Sequence, residues 1–186
     1  MINLIEGKNF GKIVLTLFIL TNAIYLYMIM VTIPLTMNFS NGMQLLDMKP
    51  SGYDFNYVNE LFKSLGENGR KTYLTKQIPV DMVYPFLFGS TYSLLMAFFF
   101  KKLQKLKPPY SYLCFVPVVA GIADYAENFG IISLLKNYPE LLETSVVLTN
   151  TFTLIKSVST SIFFIILLIV LVSLGLQAVA VKNRSL

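Results

Sequence analysis

Four apolar runs, each close to or longer than the roughly 20 residues that cross a bilayer's hydrocarbon, take up most of this 186-residue chain. They leave no room for a separate soluble domain. At 13% charged residues and a mean hydropathy of +0.63, the chain falls far short of the roughly 25% charged content of an average soluble domain. The expectation is one membrane domain over residues 1–186. The fold class is all-α: a four-transmembrane-helix bundle with spans at approximately 13–37, 80–100, 110–135 and 150–180. A short helical cap, formed by the first extracytoplasmic loop at 54–78, completes it.

The first run is longer than the 7–15 residue apolar core of a signal peptide. Met37-Asn38-Phe39 offers no small-x-small cleavage site, so it reads as a retained span. Within it, Thr16 and Thr21 can return their hydroxyls to the helix's own carbonyls, whereas Asn22 calls for a partner on another helix. From Asn38 to Ile78 the chain turns polar, too long for a tight connection. Asp54 can cap a helix in which Phe55, Val58, Leu61, Phe62 and Leu65 repeat at helical spacing. Gly66 ends it, and a second short helix through Arg70, Tyr73, Leu74 and Ile78 runs toward the second span. Pro85 should kink the start of that span by removing a backbone donor. The last span begins somewhere between Val146 and Ser157.

The clusters of positive charge that flank the apolar runs, at Lys8/Lys12, Lys101 to Lys107 and Lys182/Arg184, all fall on the side reached by an even number of crossings. The positive-inside rule therefore puts both termini in the cytoplasm and the 38–78 segment outside. Because these positive residues flank apolar runs, the net charge of +5 is a topology signal. It is not a nucleic-acid surface. One cysteine, Cys114, and no histidine remove disulfide, Cys-x-x-Cys and the commonest zinc, haem and triad chemistries. No cofactor and no metal site is expected.

The polar centre lies in Ala120-Gly121-Ile122-Ala123-Asp124-Tyr125-Ala126-Glu127-Asn128, which sets two carboxylates inside an apolar run. An ionisable group at such depth is expensive and marks a functional site by default. Pro117, Gly121, Asp124 and Asn128 share one helix face, with Glu127 beside it. Counted from the inner lysines at 1.5 Å per residue, Asp81 and Glu127 stand level at about 30 Å, and Asp124 lies about one turn deeper. Lys156 stands about 39 Å up, and its stem can reach down to Glu127 or Asp81. Arg70 is a second candidate partner. The candidate binding or polar-core residues are thus Asn22, Arg70, Tyr73, Asp81, Tyr84, Asp124, Glu127, Asn128 and Lys156, with no catalytic residue assigned. Either the acids are matched by Lys156 and Arg70, or one carries a proton, because an unpaired carboxylate is costly there.

Three functions fit these residues. The first is a non-catalytic lipid- or small-ligand-binding or partner-scaffolding protein with a buried Asp/Glu/Lys cluster near the outer leaflet. The second is a membrane enzyme acting on a lipid or isoprenoid headgroup, with Asp124 or Glu127 as acid or base. The third is a transporter or channel subunit, for which four spans would require an oligomer. The first is the leading reading, and whether the protein is an enzyme stays open. Its partners would be membrane lipids, and a further copy or another membrane protein where it assembles.

Four spans with a long first outer loop and a short basic inner loop resemble the claudin arrangement. The claudin Gly-Leu-Trp-Cys-Cys signature is missing, so that function does not carry over. The vitamin K epoxide reductases also use four helices, but their Cys-x-x-Cys is missing too. The string Leu61-Phe-Lys-Ser-Leu-Gly-Glu-Asn-Gly-Arg70-Lys-Thr-Tyr73-Leu, then Pro79-Val-Asp81-x-x-Tyr84-Pro85, then Asp124-Tyr-x-Glu127-Asn128, is similar to an uncharacterised group of small four-span bacterial integral membrane proteins. This resemblance implies that Gly69, Arg70, Tyr73, Asp81, Asp124, Glu127 and Asn128 belong to one pattern, in a bacterial plasma membrane. It brings no activity with it.

Overall fold

The computed structural model describes residues 7–184, with side chains to residue 180; the basic pair Lys182/Arg184 thus lies outside the described side chains. The described residues are 82% helical, with no strand among them. Helices satisfy their own backbone groups, as apolar surroundings require. Helix α1 (Phe10–Met37) is followed by a 3₁₀ turn at Leu46–Met48 and the cap helix α2 (Phe55–Thr72). Helix α3 (Tyr84–Lys102), a 3₁₀ turn at Tyr110–Phe115, α4 (Val116–Asn137) and α5 (Glu143–Arg184) complete the chain. Among the described residues, four stretches are long and apolar enough to cross a membrane: Phe10–Met37, Phe55–Lys102, Tyr110–Asn137 and Glu143–Ala180. On α5, Leu168 is 64% exposed and Ile165 60%, a surface suited to lipid rather than water.

Asp54 caps α2, accepting the Tyr57 N–H at 2.8 Å, and Val58, Leu61, Phe62 and Leu65 are buried beneath it. Gly66 breaks the helix with φ 59° and ψ −172°, a conformation open essentially only to glycine. The chain then continues through a π-helical turn at Tyr73–Gln77 and a short helix at Ile78–Asp81. A second π turn, Met28–Thr32, interrupts α1. Both have the same cause. A proline ring clashes with the carbonyl four residues earlier, and Pro34 and Pro79 aim at Met30 and Thr75, so each helix widens there.

Pro85 acts differently, ending the short helix at Asp81 and restarting α3 at Tyr84. It leaves the Asp81 carbonyl without its helical donor, and Asn128 on α4 supplies one, its Nδ2 donating at 3.2 Å. Helices α3 and α4 approach closely there: a Cβ on Gly121 would lie 2.7 Å from the Pro85 carbonyl oxygen. Gly121→Val is therefore expected to destabilise the bundle by about 1–3 kcal/mol through overpacking. Gly175→Ala, where nothing lies within 4 Å, should leave the melting temperature in detergent unchanged or raise it slightly. Equal melting of the two variants would argue against the close crossing.

Packing runs α1 to α3 to α4 to α5, with α3 also touching α5, while α1 and α5 are not closely packed on each other. One apolar cluster joins the cap to the ends of α1 and α4 around Leu46, Phe62, Tyr73 and Ile131. A second, around Phe88, Tyr92, Met96 and Phe163, fills the other half of the bundle. A polar layer lies between them. Helix α5 starts earlier than the Val146 to Ser157 window expected from hydropathy. Its polar first turns stay helical because Thr149 and Thr151 return their hydroxyls to Ser145 and Val147 at 2.8 Å.

Candidate functional site

The centre of the polar layer is Lys156, on α5. Its ammonium lies 3.3 Å from Asp124 Oδ1, ion-pairs with Glu127 Oε2, and donates to the Asp47 carbonyl at 3.4 Å. Glu127 is fully buried, its other oxygen accepting from the Thr153 hydroxyl at 2.7 Å. That hydroxyl lies 3.1 Å from the Tyr53 phenol, and the Tyr53 N–H donates to Asn150 at 2.9 Å. The loop before the cap is thereby tied down to α5. Burial pushes the Tyr53 phenol above its ordinary value, so it stays a neutral hydrogen-bonding group.

Asp47 enters from the turn at Leu46–Met48. Its carboxylate accepts from the Tyr73 hydroxyl and from Gln77 Nε2, the latter at 2.8 Å. Gln77 in turn accepts from Thr32, so the two π turns meet through this pair. Small residues bring α4 against α5, where a Cβ on Gly130 would run into the Thr149 side chain.

Beside this layer a cavity of about 660 Å³ lies between α1 and α5. Asp47, Met48 and Pro50 border its cap end together with Asp81, Asp124 and Lys156. Phe18, Phe88, Tyr92, Phe164 and Leu167 line the rest. Phe164 and Ser161 on its wall are exposed, so the cavity opens sideways between the first and last helices.

Of the residues singled out in the sequence, Asn22, Tyr84, Asp81, Asp124 and Lys156 lie on this cavity. Asn22 gives its amide to the Phe18 carbonyl at 2.7 Å and faces the Tyr92 hydroxyl at 3.4 Å. Glu127 sits behind Lys156, Asn128 holds the Asp81 carbonyl, and Tyr73 holds Asp47. Lys156 reaches Glu127, as counting residues suggested, and Asp124 rather than Asp81. Arg70 meets none of the acids. Its guanidinium donates to the Phe62 carbonyl at 2.7 Å and lies over the Tyr138 ring, 4.4 Å from its centroid. Asp47, Tyr53, Gln77 and Thr153 were not singled out by the sequence reading. The one available signal for Asp47 was the Leu45-Leu46 pair before it, an apolar anchor in a polar stretch that is fully buried. Among the described residues no three metal-ligating side chains come together.

Four carboxylates thus share the polar layer with one ammonium, which touches two of them. Lys156 compensates two, neutral donors hold Asp47, and among the described residues Asp81 has none of these. The chain matches no protein-family model, and no match was found among curated proteins or solved structures.

Proposed function

We propose that this is a non-catalytic integral membrane protein that binds a membrane lipid or other small amphiphile in the cavity between α1 and α5. The carrying observation is that cavity itself: about 660 Å³, apolar along most of its length and polar at one end. A volume of that size is typical of ligand pockets, roughly 300–1,000 Å³. Its side opening lets a lipid enter from the bilayer without crossing water. The turn carrying Asp47 and Met48, with Pro50, borders the polar end, and the positive-inside rule puts that end outside the cytoplasm with both termini inside. The resemblance to small four-span bacterial proteins supports a bacterial plasma membrane.

Thr160 lines the cavity from α5. Thr160→Trp should fill it and weaken retention of co-purified lipid by at least about ten-fold, or ~1.4 kcal/mol, with helicity unchanged. Leu168→Trp, on the exposed face, should retain the wild-type lipid load. Equal lipid content in both variants, measured by mass spectrometry of the purified protein, would remove the proposal.

A second reading, an enzyme working on a lipid headgroup, draws on Asp124 bordering the same cavity. Glu127 is sealed behind Lys156 and Thr153 and would not touch a substrate. Turnover abolished in Asp124→Asn with the bundle intact would favour that reading.

A further inference from the structure

Asp81 stands apart from the other acids of the polar layer. Only 4% exposed, it borders the cavity, and among the described residues its carboxylate makes no hydrogen bond or ion pair. Only its backbone carbonyl is engaged, by Asn128. An ammonium has three N–H donors, and those of Lys156 are directed at Asp124, Glu127 and the Asp47 carbonyl. The polar end therefore offers an uncompensated acid and no free cation for a phosphate.

The wall next to it is aromatic. Tyr84, three residues on from Asp81, stacks on Tyr25 with centroids 5.5 Å apart, and both border the cavity. Phe88 and Tyr92 continue the wall, 4.8 Å apart. Ring faces attract cations through their quadrupole, and a carboxylate does so through its charge. Along α5 the cavity extends from Lys156 to Leu167, about 16 Å at 1.5 Å per residue. That length suits a single alkyl chain.

From this juxtaposition we infer that the cavity takes an amphiphile whose head ends in an ammonium group. The head seats between Asp81 and the Tyr25/Tyr84 pair, and the chain lies toward Phe164 and Leu167. The inference rests on the cavity being a lipid-binding site and adds the charge its ligand must carry. Two sources supply that chemistry: the ammonium of a zwitterionic membrane lipid and a free long-chain amine. A phosphate or carboxylate headgroup placed at Asp81 would be repelled.

The test titrates the full-length protein in a neutral maltoside detergent with dodecyltrimethylammonium and, in parallel, with an uncharged dodecyl glycol ether. Binding is read by native mass spectrometry. The wild type is expected to bind the cation at least about ten-fold more tightly than the neutral probe. Asp81→Asn should bring the two within about two-fold while leaving the neutral affinity unchanged. Tyr25→Leu, at a half-open surface position, should weaken the cation alone.

Phosphatidylethanolamine co-purifying in excess over phosphatidylglycerol, and lost in Asp81→Asn, assigns the ligand to the membrane. Cation preference without that lipid excess assigns it to a free amine. Equal binding of both probes to the wild type, still blocked by Thr160→Trp, overturns the ammonium assignment and leaves lipid binding standing. A cation preference that survives Asp81→Asn overturns it as well. Binding of neither probe removes both readings.

Discussion

Lys156→Met is expected to destabilise the bundle by about 3–5 kcal/mol. Methionine nearly matches the lysine stem in length, so packing along α5 is preserved and the loss is of charge. The substitution strands Asp124 and Glu127, the first on a side chain 10% exposed and the second at 0%, with no cation beside them. Breaking one side of a buried pair is far more damaging than replacing the whole set. Lys156→Met combined with Asp124→Asn and Glu127→Gln should therefore recover most of the lost stability. Leu168→Ala, on the exposed face, should change it by no more than about 0.5 kcal/mol. Thermal unfolding in detergent reads all three. A single variant that melts with the wild type would mean that water or lipid headgroups reach the carboxylates, and the polar layer would not be the closed unit described.

The ease with which the Lys156 contact was found in the sequence, and the difficulty with Asp47, have one explanation. Residues on membrane-crossing helices inherit a height from simple counting, because each residue advances the chain by about 1.5 Å. Without coordinates, Asp124 could be placed about one turn below Glu127, and Lys156 above both but within reach of its long stem. Asp81 could be given its height in the same way, but not its orientation, since Pro85 breaks the helix between it and α3. The polar segment has no such ruler. Within it an aspartate is an ordinary surface residue, and the Leu45-Leu46 pair beside it marks an apolar anchor without saying where on the bundle the turn at Leu46–Met48 folds back. Arg70 shows the converse. It was near the acids in sequence order and basic, but the break at Gly66 turns its helix so that the guanidinium meets Tyr138. The π turns had a visible cause in Pro34 and Pro79, yet proline alone does not say whether a helix will kink, break or widen.

Asp47 is also where the second large effect is expected, because its carboxylate is the acceptor for two fully buried donors, Tyr73 and Gln77. Asp47→Ala leaves both unpaired and should lower stability by about 3 kcal/mol, at roughly 1–3 kcal/mol per orphaned group. Asp47→Asn should stay within about 1 kcal/mol of the wild type. The new side-chain oxygen can accept from Tyr73. Gln77 can rotate its amide so that its oxygen faces the new amide, while its nitrogen turns to Thr32, whose hydroxyl can accept as well as donate. The same pair of variants separates the cap from the bundle beneath it. The Asp47 carbonyl also receives Lys156, so loosening the turn in Asp47→Ala frees one ammonium donor and opens the roof of the cavity. That variant should be cleaved faster by protease within residues 38–54 and should retain less amphiphile, whereas Asp47→Asn should match the wild type in both. If the two variants fall together, it is the negative charge of Asp47 that holds the cap, and acceptor geometry is not the reason the polar segment folds back.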